Sequence, residues 1–306
     1  MKNLFISKKI ILVLIPILSL YFGFIYEEDL STGGSKIDFY RTFHAVTDFS
    51  DFIFNTTSQY TRHFPFHYLL LSIPHFIFND MYITRIVYLF FSLLLPIFVY
   101  LNLNNINNNQ KINNLIISSA LLFLPFFRAS SFWPNAHLTA LIFLVIANYF
   151  YIKDIQSNKF SYKFINIFFL SLSTYCIQSY AIFFIFYLIN YYQNYSKKYF
   201  SSIMVLCILF SLPGFYFILS TPTGSKLAFS NNFSYTIITN LSIIFFFLIF
   251  FLSNKISFLQ TKKYFLKLQF YEIFLLSCLF CLLIYNYEGD ALFASSGGGF
   301  FYKLSF

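Results

Sequence analysis

The sequence predicts an all-α, polytopic integral membrane protein with about nine transmembrane helices and interfacial amphipathic helices in its first outer loop. Three observations predict it. Charged residues make up 10% of the 306, against roughly a quarter in an ordinary soluble domain. Hydrophobic residues reach 58% and aromatics 24%, with 48 Phe and 25 Tyr, far beyond what a water-surrounded core needs. Apolar runs of spanning length recur along the chain, separated by short polar stretches that carry lysine. The bias toward Phe, Tyr, Ile, Asn and Lys also fits an AT-rich genome, a mutational source for part of the aromatic excess.

A net charge of +9 would suggest nucleic acid in a soluble protein. No basic, aromatic-interleaved soluble stretch is present to carry such binding, so no nucleic-acid partner is expected. Cys176, Cys207, Cys278 and Cys281 all lie in apolar runs. They read as small packing residues, the CxxC spacing of the last two included.

The first run, Lys9–Tyr26, follows Lys2, Lys8 and Lys9. No small-residue cleavage site comes after it, so it reads as a retained helix rather than a signal peptide. Further spans are expected over Tyr82–Leu101, Ile112–Phe127, Ala136–Ile152, Phe164–Tyr191, Tyr199–Ser220, Tyr235–Ser253 and Gln269–Tyr287. At about 1.5 Å per residue Phe164–Tyr191 is long for one crossing and short for two. A hairpin with its tip near Cys176–Ser179 keeps Lys197, Lys198, Lys255, Lys262, Lys263 and Lys267 on the side of the N-terminal lysines, as the positive-inside rule requires. That gives the nine crossings, with the N-terminus cytoplasmic in a bacterial inner membrane.

On this topology thirteen Lys and two acids (Asp154, Glu272) lie inside, a balance of +11. Outside lie seven cations and nine acids, a balance of −2. All four Arg and all five His fall outside or at the outer boundary. Topology needs cations inside; it does not need Arg, His and carboxylates gathered outside, and that gathering reads as a site. Residues 1–306 form one transmembrane domain, within which 27–80 is the outer loop with its juxtamembrane helices. The Asn-rich Asn102–Asn114 reads as a short inner loop, and no internal repeat is visible. The abrupt end after SSGGGFFYKLSF fits a truncated chain or a short member of a longer family.

In the outer loop, Ile37–Phe54 carries apolar residues at near-helical spacing (Ile37, Tyr40, Phe43, Val46, Phe49, Ile53), and His63–Phe78 is a second short apolar segment. Both predict helices lying on the membrane surface. Asp38-Phe39-Tyr40 places an acid and an aromatic at helical spacing; Thr61–Asp80 sets basic residues before Pro65 and Pro74; Tyr82–Leu101 opens with Arg85 at its boundary. In their order, these features resemble the GT-C glycosyltransferases over roughly residues 5–190. The FFRASSFWPNAH stretch, Phe126–His137, stands where that family has its next outer loop, without the acid many members carry there.

The resemblance implies transfer of a sugar from a polyprenyl-phosphate carrier to a cell-surface glycan, lipid or protein on the outer face. Such chemistry needs a base for the acceptor hydroxyl and donors for the departing phosphate. The resemblance assigns the base to Asp38, and phosphate contacts to Arg62, His63 and Arg85. Arg128, Trp133 and His137 join them as substrate-binding candidates, with Trp133 placed to stack on a sugar. Glu27-Glu28-Asp29 are the rival acids, as a base or as a divalent-cation site. No other cofactor is implied. A flippase for lipid-linked saccharides and a surface-polysaccharide polymerase are the alternatives.

Overall fold

The computed structural model describes residues 2–30, 34–50, 64–157 and 159–220. The chain divides into two compact units, Met1–Ala228 and Phe229–Phe306, and every described residue lies in the first. The expected spans Tyr235–Ser253 and Gln269–Tyr287, and the candidate residues Arg62 and His63, lie outside the described residues.

Among the described residues there are twelve α-helices and no strand. Met81–Ile106, Ala136–Ser157 and Tyr199–Phe217 are long and apolar enough to cross a membrane. Asn108–Phe123 with Pro125–Phe132 makes a fourth such element, bent by 59°. By length and apolarity the described residues therefore supply three crossings, or four with the bent pair, and the remaining expected spans are shorter or lie elsewhere in the chain.

Helix α1 is Lys2–Ile25, whose shorter apolar stretch is Val13–Ile25. It ends where Glu27 adopts a left-handed backbone (φ 50°) and the Glu28 N–H returns to the Gly23 carbonyl at 2.9 Å. Helices α2, Gly34–Thr42, and α3, His44–Thr47, follow. The expected apolar face is only partly the one used: Phe39 and Val46 are buried, whereas Ile37 and Tyr40 are exposed. Phe39 packs on Phe43 and Trp133, at 5.2 and 6.1 Å between ring centroids, and this contact decides which face turns inward.

Helix α4, Phe66–Phe78, starts at Pro65 and is apolar on two sides. His67, Tyr68 and Leu71 are buried in the bundle, and Ile73, Phe76, Ile77 and Phe78 face outward, as suits a helix with lipid rather than water around it. Asp80 accepts from Tyr82 N–H (2.6 Å) and Ile83 N–H (3.1 Å), capping α5, Met81–Ser92. Helix α6, Leu94–Ile106, continues the same span after a turn at Leu93. Pro96 has no N–H for the Ser92 carbonyl four residues earlier, which accounts for the break.

Helix α7, Lys111–Ala120, runs through a 3₁₀ turn into α8, Pro125–Phe132. The sequence predicts one straight span over Ile112–Phe127 and an outer turn after it. Instead Leu124, in front of Pro125, is extended (ψ 130°) and the chain bends there, so that Arg128 rides on a second helical limb. Helix α9, Ala136–Ser157, and α10, Phe160–Cys176, pack antiparallel; Asn166 Nδ2 donates to Ala147 O at 2.7 Å, and Ser173 Oγ to Ala140 O at 2.8 Å.

At the expected hairpin tip the helix stops at Cys176, passes through a 3₁₀ turn over Gln178–Ala181 and resumes as α11, Ile182–Asn194. Tyr191 OH then donates to Asn166 Oδ1 at 3.0 Å, so the chain has reversed. The arms hold 17 and 13 residues, too few for full spans. Helix α12, Lys197–Ser220, completes the described part.

Candidate functional site

The bundle has two chemically different ends. Helix α9 begins beside Trp133 and reaches Asp154 about 27 Å further along its axis. Lys153, Lys159 and Lys163 lie at that far end, and the arginines Arg85 and Arg128 at the near one.

The near end is built around Trp133, the one tryptophan of the chain, which is fully buried. The Arg85 guanidinium lies over its ring at 3.7 Å and over Phe24 at 5.0 Å, and the Lys36 ammonium is 4.9 Å from the same indole. Arg85 Nε donates to Phe132 O at 2.9 Å, and Nη1 reaches Glu27 Oε1 at 3.4 Å. Nη2 is buried and has no hydrogen-bond partner among the described residues. Arg85 as a whole is 3% exposed, so an uncommitted N–H group here is costly, about 1–3 kcal/mol.

Arg128 is placed differently. Its Nε and Nη2 form a fork on Glu28, at 2.7 and 2.5 Å, and Nη1 and Nη2 donate to Ser19 Oγ and Ser19 O at 3.0 and 3.1 Å. These bonds use four of the five guanidinium donors, and Trp133 Nε1 adds a bond to Glu28 O at 3.2 Å. Arg128 therefore ties α8 to the end of α1. The clasp needs Gly23: a Cβ there would run into Arg128 Nη2, Glu28 Oε2 and the Phe132 ring. Gly23→Ala should cost about 1–3 kcal/mol through this overpacking, read as a lowered melting temperature of the purified protein in detergent.

The three acids after α1 each face a different partner. Glu27 Oε2 holds Lys36 Nζ at 2.6 Å, Glu28 holds Arg128, and Asp29 Oδ2 accepts the Lys36 backbone N–H at 2.9 Å in the first turn of α2. They do not converge as a divalent-cation site would require, and no group of three His, Cys, Asp or Glu among the described residues could hold a metal. Glu27 occupies a left-handed helix-terminal position that normally favours glycine. A strained backbone thus carries the carboxylate that links Lys36 to Arg85.

The hydrogen bond from Lys36 holds the Glu27 carboxyl below its usual 4.5, with the Arg85 charge adding to the effect, and the same bond raises Lys36 above 10.5. A lowered glutamate stabilises the fold above its unfolded value and loses that contribution as pH falls through its folded one. Trp133 emission, reporting the cations packed on it, should stay constant from neutral pH down to about 4.5 and change below that. In Glu27→Gln this acid transition should vanish.

Of the other sequence candidates, Asp38 and His137 fall outside this cluster and Trp133 forms its floor. Asp38 is exposed on α2, and its carboxylate forms no ion pair among the described residues. His137 is exposed on the first turn of α9, its backbone N–H bonded to Asn135 Oδ1 at 2.8 Å. Trp133, expected to stack on a sugar, is buried and its ring carries cations instead. His67 bonds Thr139 Oγ1 at 2.8 Å inside the core, next to Tyr88. Gln178 lines an apolar groove of about 420 Å³ between α10, α11 and α12.

Lys36, Ser19 and Gly23 belong to the site and were not singled out by the sequence. Ser19 and Gly23 did leave a signal, being small residues four apart on one face of α1, the spacing of close helix contacts in membranes. Compared with protein-family models, curated proteins and solved structures, the chain matches none.

Proposed function

We propose that the protein is a membrane glycosyltransferase of GT-C type. It takes a sugar from a polyprenyl-phosphate carrier and passes it to a cell-surface glycan, lipid or protein on the outer face of the bacterial inner membrane. The observation that carries the reading is Arg85: a guanidinium sunk in an apolar bundle, locked on an indole, with Nη2 uncommitted beside a loosely held carboxylate. A departing phosphate would take Nη2 and displace Glu27 from Nη1, gaining a two-pronged contact.

In this reaction the acceptor oxygen attacks the anomeric carbon from the face opposite the phosphate, with inversion. The C–O bond to phosphate breaks, the acceptor proton passes to a carboxylate, and the carrier phosphate leaves against Arg85. Glu27 is the carboxylate next to Arg85; Asp38, the residue the family resemblance assigns, is the alternative base on the neighbouring helix. The apolar groove beside Gln178 offers room for hydrocarbon at the same end of the bundle.

Nine crossings with the lysines inside remain part of the proposal. The reversal at Cys176–Ala181 and the separation of Arg-rich and Lys-rich ends support it. A flippase would need ionisable groups along the bundle; among the described residues the buried pair Asp154–Lys163 sits near the Lys-rich end only.

The test is binding of polyprenyl phosphate to the purified protein in nanodiscs, together with the surface glycans of a deletion strain complemented by variants. Glu27→Gly relieves the left-handed backbone but gives up the ion pairs with Lys36 and Arg85, so its melting temperature is read alongside; the folded variant should restore no glycan if Glu27 is the base. Asp38→Asn should then restore it. The opposite pattern would move the base to Asp38, and absence of polyprenyl-phosphate binding would remove the enzyme reading.

A further inference from the structure

A second concavity lies beyond the Phe39–Phe43 pair from Trp133 and takes no part in the cluster around Arg85. It is an open groove of about 610 Å³ between α4 and the residues of α3 and just after it. Thr47, Ser50, Ser72, His75 and Asn79 supply polar groups, and Ile73 and Phe76 form an apolar edge. Phe76 is 91% exposed, the most outward of the large apolar side chains in the described residues.

Three features narrow the ligand. The first is charge: among the described residues no Lys, Arg, Asp or Glu lines the groove, so an anionic headgroup finds no counter-ion among them. The Asp48 carboxylate, 3.3 Å from Thr47 Oγ1, makes the rim less hospitable to anions still. The second is the sense of the hydrogen bonds. Thr47 Oγ1 already donates to His44 O at 3.2 Å or to Asp48, and Ser72 Oγ donates to Leu69 O at 2.8 Å. With their protons engaged, both hydroxyls present lone pairs, which accept from a ligand's O–H groups and repel phosphate oxygens.

His75 adds to this. Its Nδ1 is buried and has no hydrogen-bond partner among the described residues, while the ring stands edge-on to Phe43 at 5.1 Å. A ring nitrogen left dry is unfavourable, and a turn of the ring toward the groove would let a ligand hydroxyl satisfy it as donor or acceptor according to the tautomer. The third feature is the apolar edge: an amphiphile can set its headgroup among the hydroxyls and its chains against Ile73 and Phe76.

We infer that this groove binds the uncharged, polyhydroxylated headgroup of a membrane glycolipid, with sugar hydroxyls donating to Thr47 and Ser72 and meeting His75. The inference rests on the glycosyltransferase reading only in making that glycolipid the sugar acceptor; the binding itself stands apart from it.

The test uses the full-length protein in phosphatidylcholine nanodiscs, with native mass spectrometry reading retained lipid. Diglucosyldiacylglycerol should be retained, and neither phosphatidylglycerol nor free maltose should displace it. Ser72→Leu fills the groove and Thr47→Val removes an acceptor without changing shape; each should weaken retention roughly tenfold. Arg85→Lys should leave glycolipid retention unchanged. Displacement by phosphatidylglycerol, competition by maltose at the glycolipid's own affinity, or parental retention in Ser72→Leu and Thr47→Val would each overturn the inference. Glycolipid retained where polyprenyl phosphate never binds would sink the enzyme reading and leave this groove standing.

Discussion

Arg85→Lys should reduce sugar transfer by about 10²–10³-fold in a folded protein, the scale of losing a donor that acts on charge developing in a transition state. Lysine keeps the charge but not the fork, and its ammonium cannot lie flat on Trp133 as the guanidinium does at 3.7 Å. Alanine is the harsher change and also the less informative one. It would empty a buried site and leave Phe132 O without the bond from Nε, so lost activity could follow from lost structure. Melting temperature and gel-filtration profile separate the two: the lysine variant should elute like the parent and melt well above the alanine variant, though below the parent because it too lacks the bond to Phe132 O. The loss should fall on turnover more than on acceptor KM, because the proposed contact is with the phosphate as it departs. Full complementation of a deletion strain by Arg85→Lys would remove the fork from the mechanism.

The second large effect is expected at the opposite end of the bundle. Asp154 and Lys163 are both fully buried and pair at 2.9 Å across α9 and α10. Tyr195 OH donates to the other carboxylate oxygen at 2.7 Å, and the Lys163 ammonium lies over the Tyr195 ring at 4.0 Å. Asp154→Leu removes the carboxylate that faces the buried ammonium and should cost about 3–5 kcal/mol, seen as loss of folded protein in detergent. The double variant Asp154→Leu/Lys163→Met removes both charges and should recover most of that loss. Single and double variants melting alike would mean that the ammonium finds water or another partner when its carboxylate is gone.

Much of the architecture was legible because helix-forming apolar runs announce themselves in hydropathy. The span starting at Tyr82, the helix from Ala136 and the reversal after Cys176 all follow from run length and lysine placement. The bends were less legible. Pro125 and Pro96 were in plain sight, yet whether a proline kinks a span or ends it depends on what receives the freed carbonyl and on where the next limb can pack. The faces of α2 were read only in part. With apolar residues on both sides, periodicity cannot choose between packing against protein and packing against lipid, and it was Phe39 meeting Trp133 that chose.

The site shows the same division. Gathering of arginine and acids at one end of the chain's topology could be read directly, since charge in so apolar a sequence is rare and positioned. Which acid meets which cation could not. Asp38 was favoured through its order along the chain, whereas Glu27 meets Arg85 and Glu28 meets Arg128 across sequence separations of 58 and 100 residues. By itself, then, the sequence determined that the chain is helical, with several helices apolar enough to cross a membrane. Only the tertiary structure decided the pairings of acids with cations, because hydrogen-bond geometry between distant segments depends on helix rotation and bend, and neither leaves a periodic trace in the amino-acid order.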